Sequence, residues 1–276
     1  MRYFAKVSYL GCAYSGFQFQ PNRPTVQGEV NRACLALFGV PCAVTGCSRT
    51  DSGVHAEDFS LTIDVGEGGA AIPPSALPRA IAPHLPKDIS LFYACEADEN
   101  FHARYDVAYK EYQYRIVAAP LADPFLDGRA WQYHYPLLPD AQARMERAAA
   151  HFVGKKDFAA FKNDDGTEKN TVRTVKWLKV DLKPRTEVLR EDGIKADKHL
   201  GFDLTVSIAA DGFLYNMVRI IVGTLTDVAV GRIAPDDIPK IFERGERRLA
   251  GVTAPPDGLY LHRVVYRRLP KIDANF

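Results

Sequence analysis

Arg49-Thr50-Asp51-Ser52-Gly53-Val54-His55-Ala56 lies between a segment patterned as a helix and one patterned as a strand, and the reading of its flanks decides the fold. Upstream, Thr25 offers a hydroxyl to cap a helix that carries Val26, Val30, Cys34 and Leu37 on one face and stops at Gly39. Before it, Tyr3 to Tyr9 alternates as a strand does and runs into the turn region from Gly11 to Gly16. Downstream, Phe59 to Val65 alternates again. The order is strand, helix, strand, with Asp51 in the polar loop before the last of these.

Further along, Ser75 can cap a short helix, and Ile89 to Cys95 and Val107 to Val117 read as strands. The turn signals Asp123-Pro124 and Asp127-Gly128 fall between Pro120 and Pro139, which suggests halves at 1–120 and 121–276 that work together. In the second half Asp140 can cap a helix to about Val153, and strands are expected at Val172 to Val180 and Leu200 to Ile208. These two strands flank a charged insert, Lys183 to Lys198, expected to be an exposed loop. A helix over about Phe213 to Val230, a short helix after Pro235 and a last strand at Leu259 to Tyr266 complete the pattern. The connections are too long and irregular for a doubly wound parallel sheet, so the expected class is α+β: one sheet from two similar halves, with helices packed against it.

Of the 276 residues 47% are hydrophobic, enough to bury a substantial core. No stretch approaches the roughly 18 apolar residues of a membrane span, and the first residues lack the apolar core of a signal peptide, so a cytoplasmic protein is expected. The five cysteines show no Cys-x-x-Cys spacing and read as reduced, mostly buried thiols. With 35 basic and 34 acidic side chains, any nucleic-acid site must be a local basic surface. Phosphate-loop, metal-helix and nucleophile-elbow motifs are all missing, which favours metal-free chemistry.

Three features point to a site. Asp51 stands two residues from Arg49 in a tight turn, although Asp-Ser-Gly is also an ordinary turn sequence. Arg219 sits among Leu214, Met217, Val218, Ile220 and Ile221 on a helix apolar nearly all round, where a guanidinium wants a carboxylate unless its stem carries it to water. Lys110, Tyr112 and Tyr114 share one face of a strand, a pattern suited to stacking a base and meeting a phosphate, and also to plain cross-strand packing.

Taken together, the segments resemble the tRNA pseudouridine synthase A family. Arg49 to Ala56 is similar to that family's Arg-Thr-Asp-Ala-Gly-Val-His-Ala. Tyr14-Ser15-Gly16-Phe17-Gln18, Thr25-Val26-Gln27, Phe101-His102-Ala103-Arg104, Lys110-Glu111-Tyr112-Gln113-Tyr114, Met217-Val218-Arg219, Val222-Gly223-Thr224-Leu225 and Ala254 to Leu259 match in order and spacing. The departures are Phe17 for tryptophan, Ser48 and Ser52 for smaller residues, Glu57-Asp58-Phe59 after Ala56, and Tyr215-Asn216 before Met217.

The resemblance implies the pseudouridine synthase fold, a central, mainly antiparallel sheet of two related halves with a cleft between them, and a homodimer that grips tRNA. It implies isomerisation of uridine to pseudouridine at positions 38 to 40 of the anticodon stem-loop, without cofactor or metal. Asp51 is then the catalytic carboxylate, Arg219 its partner, Tyr112 the residue stacked on the uracil, and Leu259 the packing from the other side. Arg49 fills the place of the everted base or meets its phosphate, and Arg104, Lys110, Arg173, Lys176 and the Arg244, Arg247, Arg248 group are candidate phosphate contacts. The rivals are a synthase aimed at other RNA positions, a non-catalytic RNA-binding protein of the same fold, and a hydrolase that would release free uracil.

Overall fold

Thr25 caps its helix as its side chain suggests: in the computed structural model its Oγ1 accepts from the Gly28 amide at 3.2 Å, and Gly39, at φ 74°, closes the other end with its amide on the Leu35 carbonyl. This is α1 (Val26–Phe38), with Val26, Val30, Ala33, Cys34 and Phe38 buried. The described residues are 1–164, 166, 170–185, 201–268 and 270, and they form two compact units, one of 1–110 with 260–276 and one of 111–259. The units part inside a strand, and the last strand, from Tyr260 on, belongs with the first unit.

In the first unit the strands β1 (Arg2–Tyr9), β2 (Cys42–Gly46), β3 (His55–Val65), β4 (Ile89–Glu96) and β10 (Leu259–Tyr266, from Tyr260 on) run in the order β4-β1-β3-β10, with β2 also on β3. The β1/β3, β1/β4 and β2/β3 ladders are antiparallel, and β10 meets the start of β3 in parallel, Tyr260 opposite His55 and Leu261 opposite Ala56. Alternation in β1 places Tyr3, Ala5, Val7 and Tyr9 on one buried face, and the opposite face also buries Phe4. Phe17 stacks on Phe59 with ring centroids 4.2 Å apart, which seats the 10–17 loop on β3. Helix α2 is short (Leu77–Ile81) and follows a 3-10 turn at Pro74–Ala76; no side chain caps it, so Ser75 does not play the expected part.

The second unit carries β5 (Val107–Ala118, from Glu111 on), β6 (Trp131–Tyr133), β7 (Gly154–Asp157), β8 (Val172–Pro184) and β9 (Phe202–Ala210) in the order β5-β9-β8-β7, with β6 parallel to β5. The β7/β8 and β8/β9 ladders are antiparallel. Helix α3 (Ala141–Ala150) ends before Val153, because Gly154, at φ 102°, turns the chain into β7, and the Asp140 side chain caps nothing. Lys183 and Pro184 of the expected insert belong to β8, and 186–200 lie outside the described residues. Helix α4 (Met217–Ala229) buries every residue except Arg219, which is half-buried. It starts at 217 rather than about 213, since Asn216 has φ 59° and cannot belong to a right-handed helix. Helix α5 (Ile238–Arg244) follows Pro235 as expected. The class is α+β with mainly antiparallel pairing.

Candidate active site

The loop that carries Asp51 is held by its backbone on both sides. The Phe17 amide donates to the Thr50 carbonyl at 3.2 Å, and the Gly53 amide and Ser52 hydroxyl both donate to the Tyr14 carbonyl, at 3.3 and 3.2 Å. Within the loop, the Val54 amide closes a turn on the Asp51 carbonyl at 3.2 Å, and Gly53 takes φ 81°. Thr50 is buried and shares a 2.7 Å hydrogen bond with the Tyr9 hydroxyl. Asp51 itself is half-buried. Its side chain therefore rises from a main chain fixed one residue before it and two residues after it, so the carboxylate is held in place with little further ordering cost.

Approach of the two loops depends on Gly16. It sits at φ 90°, and a Cβ there would lie 2.5 Å from the Thr50 carbonyl oxygen. Next to the turn, His55 is fully buried, accepts the Gly11 amide on Nδ1 at 3.0 Å and stacks on Tyr260 at 4.5 Å and 22°. With Nδ1 an acceptor, the proton of the neutral ring is on Nε2. His55 is thus a brace of the loop. Tyr14 ties the 10–17 segment down by donating to Asp88 at 2.6 Å; burial first, then Asp88, push its pKa up, so it remains a donor.

Lys110 has its ammonium on the loop, with Nζ 3.1 Å from Ser48 Oγ. Burial lowers its pKa, the nearby Cys47 thiol opposes this, and Arg104 adds to it. Cys47 is fully buried, and burial pushes its thiol up to about 11. Beside the same stretch lies a cavity of about 250 Å³ whose lining includes Gln18, Ser48, Arg49, His102, Arg104 and Tyr105. Arg49 and Arg104, 55 positions apart, thus meet at one cavity.

In the second unit Arg219 is anchored by neutral acceptors. Its Nε donates to the Ala254 carbonyl at 2.6 Å, its Nη1 donates to Asn216 Oδ1 at 2.8 Å, and the Ala254 amide donates back to the Arg219 carbonyl at 3.1 Å. The 250–254 strip comes this close because α4 offers Gly223, where a Cβ would lie 1.9 Å from the Val252 carbonyl oxygen. Thr224 finishes the seam, its hydroxyl accepting from the Gly251 amide and donating to the Ile220 carbonyl. The strip continues into Leu259, which is buried, past Pro255, whose carbonyl accepts the Tyr114 hydroxyl at 2.6 Å. Segment 254–259 therefore gathers Arg219, β5 and Leu259.

The two tyrosines on the shared face of β5 are both buried. Tyr114 is fully buried, and burial raises its pKa well above the ordinary tyrosine value; Tyr112 is buried edge-on to Phe213 at 5.0 Å and 83°. Arg247 is also committed inside the fold: its three nitrogens donate to Asn163, the Gly251 carbonyl and Thr253. Arg248 pairs with Glu246, and Arg244 is exposed. Arg173 gives Nη1 to the Asn170 and Val172 carbonyls. Asn216 enters the sequence reading only as a departure before Met217 and not as a partner of Arg219, although asparagine at a place that must turn left-handed, just before an apolar helix, is a signal. Tyr105 offers no signal beyond its place in a turn.

No helix among the described residues is long and apolar enough to cross a membrane, and none of their His, Cys, Asp and Glu side chains form a group of three able to hold a metal. The sequence matches the family model described as "tRNA pseudouridine synthase" over residues 5–106 and 148–267. It is 37% identical over 260 residues to the tRNA pseudouridine synthase A of Thermoanaerobacter sp. (strain X514), covering 94% of this chain and 97% of that one. It is 40% identical over 260 residues to the protein of the same name from Acetivibrio thermocellus, again with 94% and 97% covered. With that of Listeria innocua serovar 6a it shares 36% over 267 residues, 96% of this chain and 99% of the other.

Proposed function

Because the chain belongs to the tRNA pseudouridine synthase family, we propose that it isomerises uridine to pseudouridine at positions 38, 39 and 40 of the tRNA anticodon stem-loop, with Asp51 as the reacting carboxylate. The observation that carries this reading is the pinned loop: Asp51 is set between Thr50 and Gly53, whose main-chain groups are bonded to Phe17 and Tyr14.

The reaction breaks the C1′–N1 bond, turns the detached uracil and joins C5 to C1′, with no net oxidation. One carboxylate serves it, by attack at C1′ or by taking the 2′ proton. In this reading Arg219 pairs with Asp51 and favours its anion. Tyr112 stacks on the uracil, Leu259 packs on its other side, and the two halves work as one catalytic unit. Arg49 takes the place of the everted base or holds its phosphate, and Arg104, Lys110, Lys176 and Arg244 add phosphate contacts. Flipping the target out of its stem costs a few kcal/mol, which these contacts offset. The enzyme acts in the cytoplasm as a homodimer.

A position-resolved map of pseudouridine in tRNA treated with the purified protein is the test. Wild type should modify 38 to 40, and Asp51→Asn should modify none while binding tRNA within a few-fold of wild type. Modification elsewhere would redirect the substrate assignment, free uracil would mark a hydrolase, and turnover by Asp51→Asn would remove Asp51 from the chemistry.

A further inference from the structure

The turn after β4 ends in a small built surface whose two rings, His102 and Tyr105, the proposed chemistry does not use. His102 Nδ1 accepts the amides of Arg104 and Tyr105, at 3.0 and 3.3 Å, and its own amide donates to Asp106 at 2.8 Å. This leaves Nε2 of the neutral ring as a donor and fixes the ring plane. Tyr105 lies against it with centroids 4.2 Å apart and 39° between planes, yet remains 70% exposed. Phe101 and Ala103 of the same turn are buried, so the exposed tyrosine projects from a fixed base. Both rings line the 250 Å³ cavity together with the guanidinium-bearing Arg49 and Arg104, and none of its described lining residues is acidic.

An exposed ring held by a second ring is a stacking platform, and two arginines without a neighbouring carboxylate in the lining suit a phosphate. Gln18, exposed on the rim, adds a neutral amide able to meet a base edge. The main chain from Arg49 to Asp51 spans at most about 7 Å, so a nucleotide held here is close in sequence to the one presented to Asp51.

We propose that this cavity is a second nucleotide subsite, which takes a nucleotide flanking the target uridine, its base stacked on Tyr105 and its phosphate between Arg49 and Arg104. This rests on the reading of RNA as the substrate. The subsite holds the strand on one side of the reacting nucleotide and so acts on binding, before the chemical step.

The test pairs two readouts. In tRNA turnover, Tyr105→Ala should raise KM about 10-fold or more and leave kcat near wild type, Tyr105→Trp should restore KM, and an abasic residue at the flanking position should erase the difference between wild type and Tyr105→Ala. Independently of turnover, 2-aminopurine at that position of an anticodon stem-loop should be quenched on binding wild type or Tyr105→Trp and not on binding Tyr105→Ala. Quenching without any pseudouridine formation would support the subsite and overturn the activity. Normal pseudouridine formation with equal quenching by all three proteins, or an unchanged KM in Tyr105→Ala, would overturn the subsite.

Discussion

Replacing Gly16 by alanine presses directly on the main chain that bears Asp51. Two costs add at this position. The backbone stands at φ 90°, where an L side chain is strained by about 1–2 kcal/mol. The new Cβ would also lie 2.5 Å from the Thr50 carbonyl oxygen, about 0.9 Å inside the 3.4 Å where ordinary contact begins. That oxygen belongs to main chain and not to a flexible side-chain tip, so the loop must move by most of an ångström. A displacement of about 1 Å in a reacting group costs on the order of 100-fold in rate.

Gly39 supplies the control. It has a comparable φ of 74°, at the end of α1, with nothing within 4 Å of the added Cβ. Gly39→Ala should lose about 1 kcal/mol of stability in urea titration and keep kcat in a tritium-release assay on tRNA with 5-tritiated uridine. Gly16→Ala should lose at least as much stability and about 100-fold in kcat at a temperature where both variants are folded. A folded Gly16→Ala protein with wild-type kcat would show that the clamp between the 10–17 loop and Thr50 does not set the position of Asp51.

Other changes separate packing from chemistry. Asn216→Gly keeps the left-handed backbone but deletes the hydrogen bond to Arg219, so turnover should fall while stability by urea titration changes by less than about 1 kcal/mol; Asn216→Ala should lose both. Tyr114→Phe leaves the Pro255 carbonyl without its donor and should cost about 1–2 kcal/mol in the same titration. Among the thiols, exposed Cys12 should react promptly with iodoacetamide at pH 8. Cys47, fully buried with a pKa near 11 against an ordinary 9.0, carries about 100-fold less thiolate and should react only after denaturation. The rise comes from burial of the thiol, and fast labelling of Cys47 in the native protein at pH 8 would contradict the packing.

What was legible in the sequence was mostly local. Thr25 and Gly39 announce the ends of α1 because a cap is chemistry between neighbours, and the alternation of β1, β4 and β5 fixes those strands nearly to the residue. The strands β2, β6 and β7, of 5, 3 and 4 residues, are too short to show a period and exist through partners far along the chain. Apolar spacing carries the α4 reading past its true start, since periodicity is blind to the left-handed turn at Asn216. The family resemblance picked out Asp51, and local pattern alone allowed an ordinary turn. Nothing near Asp51 in sequence reveals that Tyr14 and Phe17 hold its main chain, because those contacts are carbonyls and amides that every residue has. Tyr112 and Tyr114 share a face as expected, but which face is buried depends on Pro255 and Phe213 and could not be read from β5.

The return of β10 to the start of β3 has a consequence during synthesis. Residues 260–266 leave the ribosome only after the whole 111–259 unit has been made, a delay of roughly 7–30 s at about 5–20 residues per second. Throughout that interval the nascent first unit has an open strand edge at His55 and Ala56, and His55 lacks the Tyr260 ring it will stack on. The loop bearing Asp51 therefore lacks part of its support until the end of synthesis, and a ribosome stalled before Tyr260 holds a chain with that loop complete in sequence and its brace still unmade.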